Sequence, residues 1–117
     1  MQIRSDTFTV GTATGVKTST STPSRSKIIN EGDSLAVQMV NGGAFVGTIA
    51  IEGTVDGTNY TAIALTPAAG GAAVASFTAA GAWTATGLAA YSAFQVDCTA
   101  FTSGSCTVTV GQGFTGR

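Results

Sequence analysis

The chain has 117 residues, a net charge of −1, 44% hydrophobic residues and only 9% charged ones. That length builds one domain with a real core, and the charged share is far below the usual share of about a quarter. The sequence contains no histidine, which removes the commonest general base, proton shuttle and zinc ligand and excludes Ser-His-Asp and Cys-His catalysis.

The N-terminus, Met1 to Asp6, has no apolar core of a signal peptide, and no run approaches the ~20 apolar residues that span a bilayer. The expectation is synthesis in a host cytoplasm and no membrane partner. Residues 7–10 (Thr-Phe-Thr-Val) alternate and predict an edge strand. Residues 11–27 are Ser/Thr/Gly-rich, too polar to offset their own ordering entropy, and read as a long loop or arm. Residues 1–30 hold Arg4, Lys17, Arg25 and Lys27 against Asp6; the rest hold Arg117 against Glu31, Asp33, Glu52, Asp56 and Asp97. The scattered cations of the arm are not the clustered footprint that nucleic acid requires. They suit steering onto an acidic protein surface. The division expected is residues 1–33 as strand plus arm and residues 34–117 as body.

In the body, Leu35, Val37 and Met39 alternate with outward positions, and Asn41-Gly42-Gly43 reads as a turn. Residues 45–55 carry Phe45, Ile49, Ile51 and Val55 on one face. Asp56-Gly57 then signals a hairpin into residues 60–65, because glycine reaches positive φ cheaply. Thr66-Pro67 and a small-residue linker lead to short strands at 74–78 and 82–85. In the last stretch Phe94, Val96 and Cys98 share a face, as do Cys106, Val108 and Val110, with Thr102-Ser103-Gly104 as the expected turn. That register sets Cys98 opposite Cys106, a candidate thiol pair expected to be reduced. No segment shows capped helical spacing. About seven or eight short strands predict an all-β fold, a single antiparallel β-sandwich of jelly-roll or Ig-like type.

Little remains for chemistry. Ser24, Ser26 and Lys27 lie in the arm, where catalytic geometry is hard to hold. Glu52, Asp56 and Asp97 read as surface and turn residues, and Asp56-Gly57-Thr58-Asn59 lacks the distal acid of a calcium loop, so an Asx-capped turn explains it better. Trp83, Tyr60 and Tyr91 fit a sugar platform less well than core anchors. No cofactor, metal or catalytic residue is expected, and the protein is not expected to be an enzyme.

The strand pattern of residues 45–63, Phe-Val-Gly-Thr-Ile-Ala-Ile-Glu-Gly-Thr-Val-Asp-Gly-Thr-Asn-Tyr-Thr-Ala-Ile, and that of residues 94–108 resemble virion proteins of tailed bacteriophages. The nearest group is the small capsid decoration (cement) and head-associated β-sandwich proteins. The resemblance covers roughly residues 42–110. It implies homo-oligomers (dimer or trimer) on the capsid surface, bound to the major capsid protein and stabilising the lattice, with no catalytic residues. Contacts to the shell are then expected from Lys17, Arg25, Lys27, Phe114 and Arg117. The alternative is a carbohydrate- or receptor-binding module of a tail or fibre, which needs its aromatics exposed side by side.

Overall fold

The computed structural model describes residues 2–11, 13–21 and 24–113. Eight strands follow in chain order: β1 (Gln2–Val10), β2 (Gly15–Val16), β3 (Ile28–Ile29), β4 (Ser34–Thr54), β5 (Thr61–Ala62), β6 (Thr66–Pro67), β7 (Gly81–Ala85) and β8 (Ala93–Gly113). No helix occurs among the described residues. The fold is all-β, and every strand pairing is antiparallel.

The sheet is organised by β4 and β8, each 21 residues long, which pair with each other from Ser34↔Gly113 to Thr54↔Ala93. The first half of β4 and the second half of β8 lie between β1 and β7, with β6 outside β7. The other halves carry β5 on one edge and β2 with β3 on the other. One ribbon thus contributes to two half-sheets that share a single apolar core. Phe8, Val37, Met39, Val108 and Val110 come from one half-sheet, and Ile49, Ile51, Phe94 and Val96 from the other.

The expected turns at residues 41–43 and 102–104 are not chain reversals. Both lie inside long strands and face each other: Gly43 and Ala44 both oppose Ser105, and the register shifts there. Backbone geometry explains the signals. Gly104 has φ +77°, and a Cβ there would run into the carbonyl oxygens of Gly43 and Ala44. Ala44 itself sits at φ 53°, and the Asn41 Oδ1 accepts the Phe45 N–H at 3.0 Å. Turn-type residues here make a bulged bend that re-aims the ribbon. The final hairpin is therefore absent. Cys98 lies opposite Ile49 and Gly15, and Cys106 opposite Val10.

The Asp56-Gly57 reversal is present, although only Glu52↔Ala62 and Gly53↔Thr61 pair behind it. Val55 lies beyond the end of β4 and is 67% exposed, so it does not join Phe45, Ile49 and Ile51 in the core. Facing Tyr91 and Ile63, Gly53 has no room for a side chain: a Cβ would lie 2.8 Å from the tyrosine ring.

The arm is also not a free loop. β2 and β3 both lie along the same edge of β8, with Lys17 N–H donating to the Val96 carbonyl at 2.9 Å. Between them the chain leaves that edge and crosses to β1. Thr20 N–H donates to the Thr7 carbonyl at 2.6 Å, and Thr7 N–H donates to Ser21 Oγ at 3.0 Å. Ser19 and Arg25 clasp the two limbs: Ser19 N–H donates to the Arg25 carbonyl at 2.7 Å, and Arg25 N–H to Ser19 Oγ at 3.0 Å. Hydroxyl side chains stand in for strand partners here, which is how so polar a segment becomes a strap between the edges of the two half-sheets. Residues 1–33 thus supply three strands to the same sheet as the body. Below the strap, buried Gln112 ties residues 29–31 to β8, donating from Nε2 to the Ile29 carbonyl and accepting the Glu31 N–H.

Candidate functional site

Two outward faces of opposite character are the candidate contact surfaces. On the β1–β8–β4–β7–β6 half-sheet, alternation turns Leu35, Val37 and Trp83 inward and leaves Ala36, Gln38, Ala82 and Thr84 exposed. With Ser5, Thr109 and Gly111 they line an open concavity of about 790 Å³ whose lining contains no charged residue. This is the site that the sequence reading missed. Its signal was present: every second residue of 34–40 and 107–113 is small or neutral, the complement of the apolar pattern that revealed the core.

The second half-sheet presents acids. Glu52 pairs across the ladder with Gln95, whose Nε2 donates to Glu52 Oε1 at 2.6 Å. Asp97 stands two residues along the same strand. Burial, followed by the negative charge of Asp97, raises the Glu52 carboxyl above its ordinary value. A carboxyl held up in this way favours the folded state while protonated, and that contribution is lost as pH rises through the raised value. Glu52→Gln is therefore expected to stabilise the protein at pH 7 by a few tenths of a kcal/mol, as for relief of like charges across a ladder. The gain should vanish below pH 4, as read by thermal melts across pH.

The remaining candidates fall into place by geometry. Arg25 Nε lies 3.6 Å from Oδ1 of Asp6. Asp6 is only 1% exposed, and its Oδ2 has no hydrogen-bond partner among the described residues. Arg25 therefore faces inward onto a buried carboxylate. Lys17 is half-buried, with Nζ donating to the Ala13 carbonyl at 2.6 Å, and Lys27 is exposed. Phe114 and Arg117 lie outside the described residues. Asp56 accepts hydrogen bonds from the backbone of Asn59 and Thr58 and from the side chains of Asn59 and Thr54, which hold its carboxyl far below the usual range. Its lone pairs are occupied by the turn, as an Asx cap requires. No cluster of metal-ligating acids, cysteines or histidines occurs among the described residues.

The aromatic platform is not assembled. Trp83 is 9% exposed and stacks on Phe77 with ring centroids 4.2 Å apart, while Tyr91 leans on Phe94. Cys98 and Cys106 are both buried and unbridged. Burial, and then the Cys98 thiol, push Cys106 up to about 11, and burial also raises Cys98. Both stay protonated and unreactive at neutral pH.

These features define an all-β antiparallel fold of the β-sandwich kind. Two solved structures share this fold. The SPBc2 prophage-derived protein YomS matches with a TM-score of 0.62 and 9% identity, over 93% of this chain and 95% of that one. The PBSX exported protein XepA matches with a TM-score of 0.64 and 13% identity, over 93% of this chain and 38% of that one. The chain thus corresponds to little more than a third of XepA. No protein-family model and no curated protein matches the chain. At these identities the likeness is one of fold.

Proposed function

We propose that this is a structural protein of a phage particle, a decoration or cement protein that binds the outside of the capsid lattice and stabilises it. The observation that carries the reading is that the fold, over 93% of this chain, is shared with the SPBc2 prophage-derived protein YomS and with part of the PBSX exported protein XepA. The strand pattern of residues 45–63 and 94–108 supports the same reading. A protein that binds only the assembled lattice stabilises it in proportion to its affinity for that state, and many symmetric copies add avidity. Such a role needs a stiff body and adhesive surfaces but no active site, so no enzymatic activity is assigned. Lys27 and Lys17 are the proposed cationic contacts to the major capsid protein. Arg25, engaged with Asp6, holds the strap instead. The tail- or fibre-module alternative loses its aromatic platform, because Trp83 is covered by Phe77.

Co-sedimentation of the purified protein with intact, undecorated capsids tests the proposal. Saturable binding at a fixed ratio to the major capsid subunit is expected, and no binding at saturating protein would overturn it.

A further inference from the structure

The bend of β4 holds a reactive group that the contact surfaces do not use. The chain has three asparagines, Asn30, Asn41 and Asn59, and only Asn41 is followed by glycine. An asparagine carboxamide is open to attack at Cγ by the backbone nitrogen of the next residue. A following glycine leaves that approach uncrowded, because it has no Cβ and its dihedrals are free. Regular strands resist the reaction, because the ladder fixes the backbone and occupies its amides. Asn41 escapes that protection. The pairing with β7 stops at Met39↔Gly81, and the pairing with β8 passes from Val40↔Thr107 to Gly43↔Ser105. Asn41 and Gly42 therefore lie in the bulge with no residue opposite them in either register. Both are exposed, and nothing lies within 4 Å of the Gly42 Cβ position.

The carboxamide is also held in place. Its Oδ1 accepts the Phe45 N–H at 3.0 Å, which turns the side chain toward the residues that follow it, the side on which Gly42 lies. The same N–H sits on the oxygen that gains negative charge as Cγ becomes tetrahedral, as a single oxyanion donor does. The other asparagines are arranged differently. Asn30 Nδ2 donates to the Leu88 and Tyr91 carbonyls at 2.9 and 2.8 Å, and Asn59 Nδ2 donates to Asp56 Oδ2 at 2.8 Å. Both leaving groups are tied down, and Glu31 and Tyr60 follow them. Asp56-Gly57 has the same spacing, but four hydrogen bonds hold its carboxyl in the ionised form. A carboxylate is a poor electrophile.

We infer that Asn41 is a site of spontaneous modification, converted through a succinimide with Gly42 into aspartate and isoaspartate. The Gly42 nitrogen forms a bond to Cγ of Asn41, the Cγ–Nδ2 bond breaks, and Nδ2 leaves as ammonia with the proton from the Gly42 amide. Water then opens the ring with no change of oxidation state. Attack at Cγ gives aspartate, whose carboxylate can still accept the Phe45 N–H. Attack at the main-chain carbonyl gives isoaspartate, which adds a methylene to the backbone at the register shift of the bend. The inference is independent of the decoration role.

Incubation of the full chain in mildly alkaline buffer, followed by peptide mapping and enzymatic methylation of isoaspartyl groups, tests it. The amide-to-acid mass gain and the methyl label are expected at residue 41, with Asn30 and Asn59 intact. Gly42→Ala should slow the change at least about tenfold, because its Cβ crowds the attacking nitrogen and small misplacements are costly. A parallel incubation of the urea-unfolded chain separates the fold from the dipeptide. An Asn41 that stays intact in the folded chain while the unfolded chain deamidates would overturn the inference. So would equal rates in Gly42→Ala and the parent, or equal modification at Asn30 and Asn59.

Discussion

Replacing Gly104 with alanine is expected to cost about 3 kcal/mol or more and to loosen both half-sheets together. Gly104 is held at φ +77° where β8 crosses β4, and an added Cβ would meet backbone oxygen on Gly43 and Ala44 rather than a side chain that could rotate away. Backbone strain at positive φ costs about 1 kcal/mol or more for a non-glycine residue. Overpacking against an immovable neighbour adds about 1–3 kcal/mol. The bend cannot relax locally, because both strands continue on either side and carry the core. Gly42 is the control: it adjoins Gly43 at the bend, yet nothing lies within 4 Å of its Cβ position, so Gly42→Ala should be neutral or slightly stabilising. Urea denaturation of the two variants against the parent would read the difference. Equal stability of Gly104→Ala and Gly42→Ala would contradict the bend as described.

Arg25→Met is expected to destabilise the protein by about 3 kcal/mol, the low end for breaking a buried pair, since the Arg25 side chain is 18% exposed while the Asp6 side chain is 1% exposed. The loss comes from Asp6, left buried without the guanidinium 3.6 Å from Oδ1 and with Oδ2 already unsatisfied. The double variant Asp6→Asn with Arg25→Met should recover most of the loss, because the residual amide is far cheaper to bury than a carboxylate. A double-mutant cycle separates this coupling from the backbone clasp between Ser19 and Arg25, which both variants retain. Hydrogen exchange should report the loss at Thr7 and Ser19, where the strap meets β1. An Arg25→Met variant within about 0.5 kcal/mol of the parent would show that the strap is held without the ion pair.

The sequence revealed the core face more reliably than the path of the chain. Period-2 alternation placed Leu35, Val37, Met39, Ile49, Ile51, Phe94, Val96, Val108 and Val110 inside, and all are buried. Chain reversals were harder, because Gly-rich dipeptides serve both hairpins and bulges. Asp56-Gly57 reverses the chain with its carboxylate capping the turn. Gly42-Gly43 and Ser103-Gly104 instead bend two strands where they cross. Which outcome occurs depends on the partner across the ladder, and that partner lies some sixty residues away, beyond the reach of a local pattern. The same holds for the strap. Its Ser/Thr content signals poor burial, but no local rule says that its hydroxyls find the edge of β1. The candidate faces were readable only in outline, since an uncharged surface leaves no motif. Only the contrast with Glu52 and Asp97, brought onto the other half-sheet by the fold, sets it apart.

Electron cryomicroscopy of undecorated capsids incubated with the purified protein tests the central claim most directly. The account expects added density on the outer surface of the shell, at a fixed symmetry position, into which the bent two-halved sandwich fits. Bare capsids at saturating protein, with the protein folded in the same sample, would contradict it.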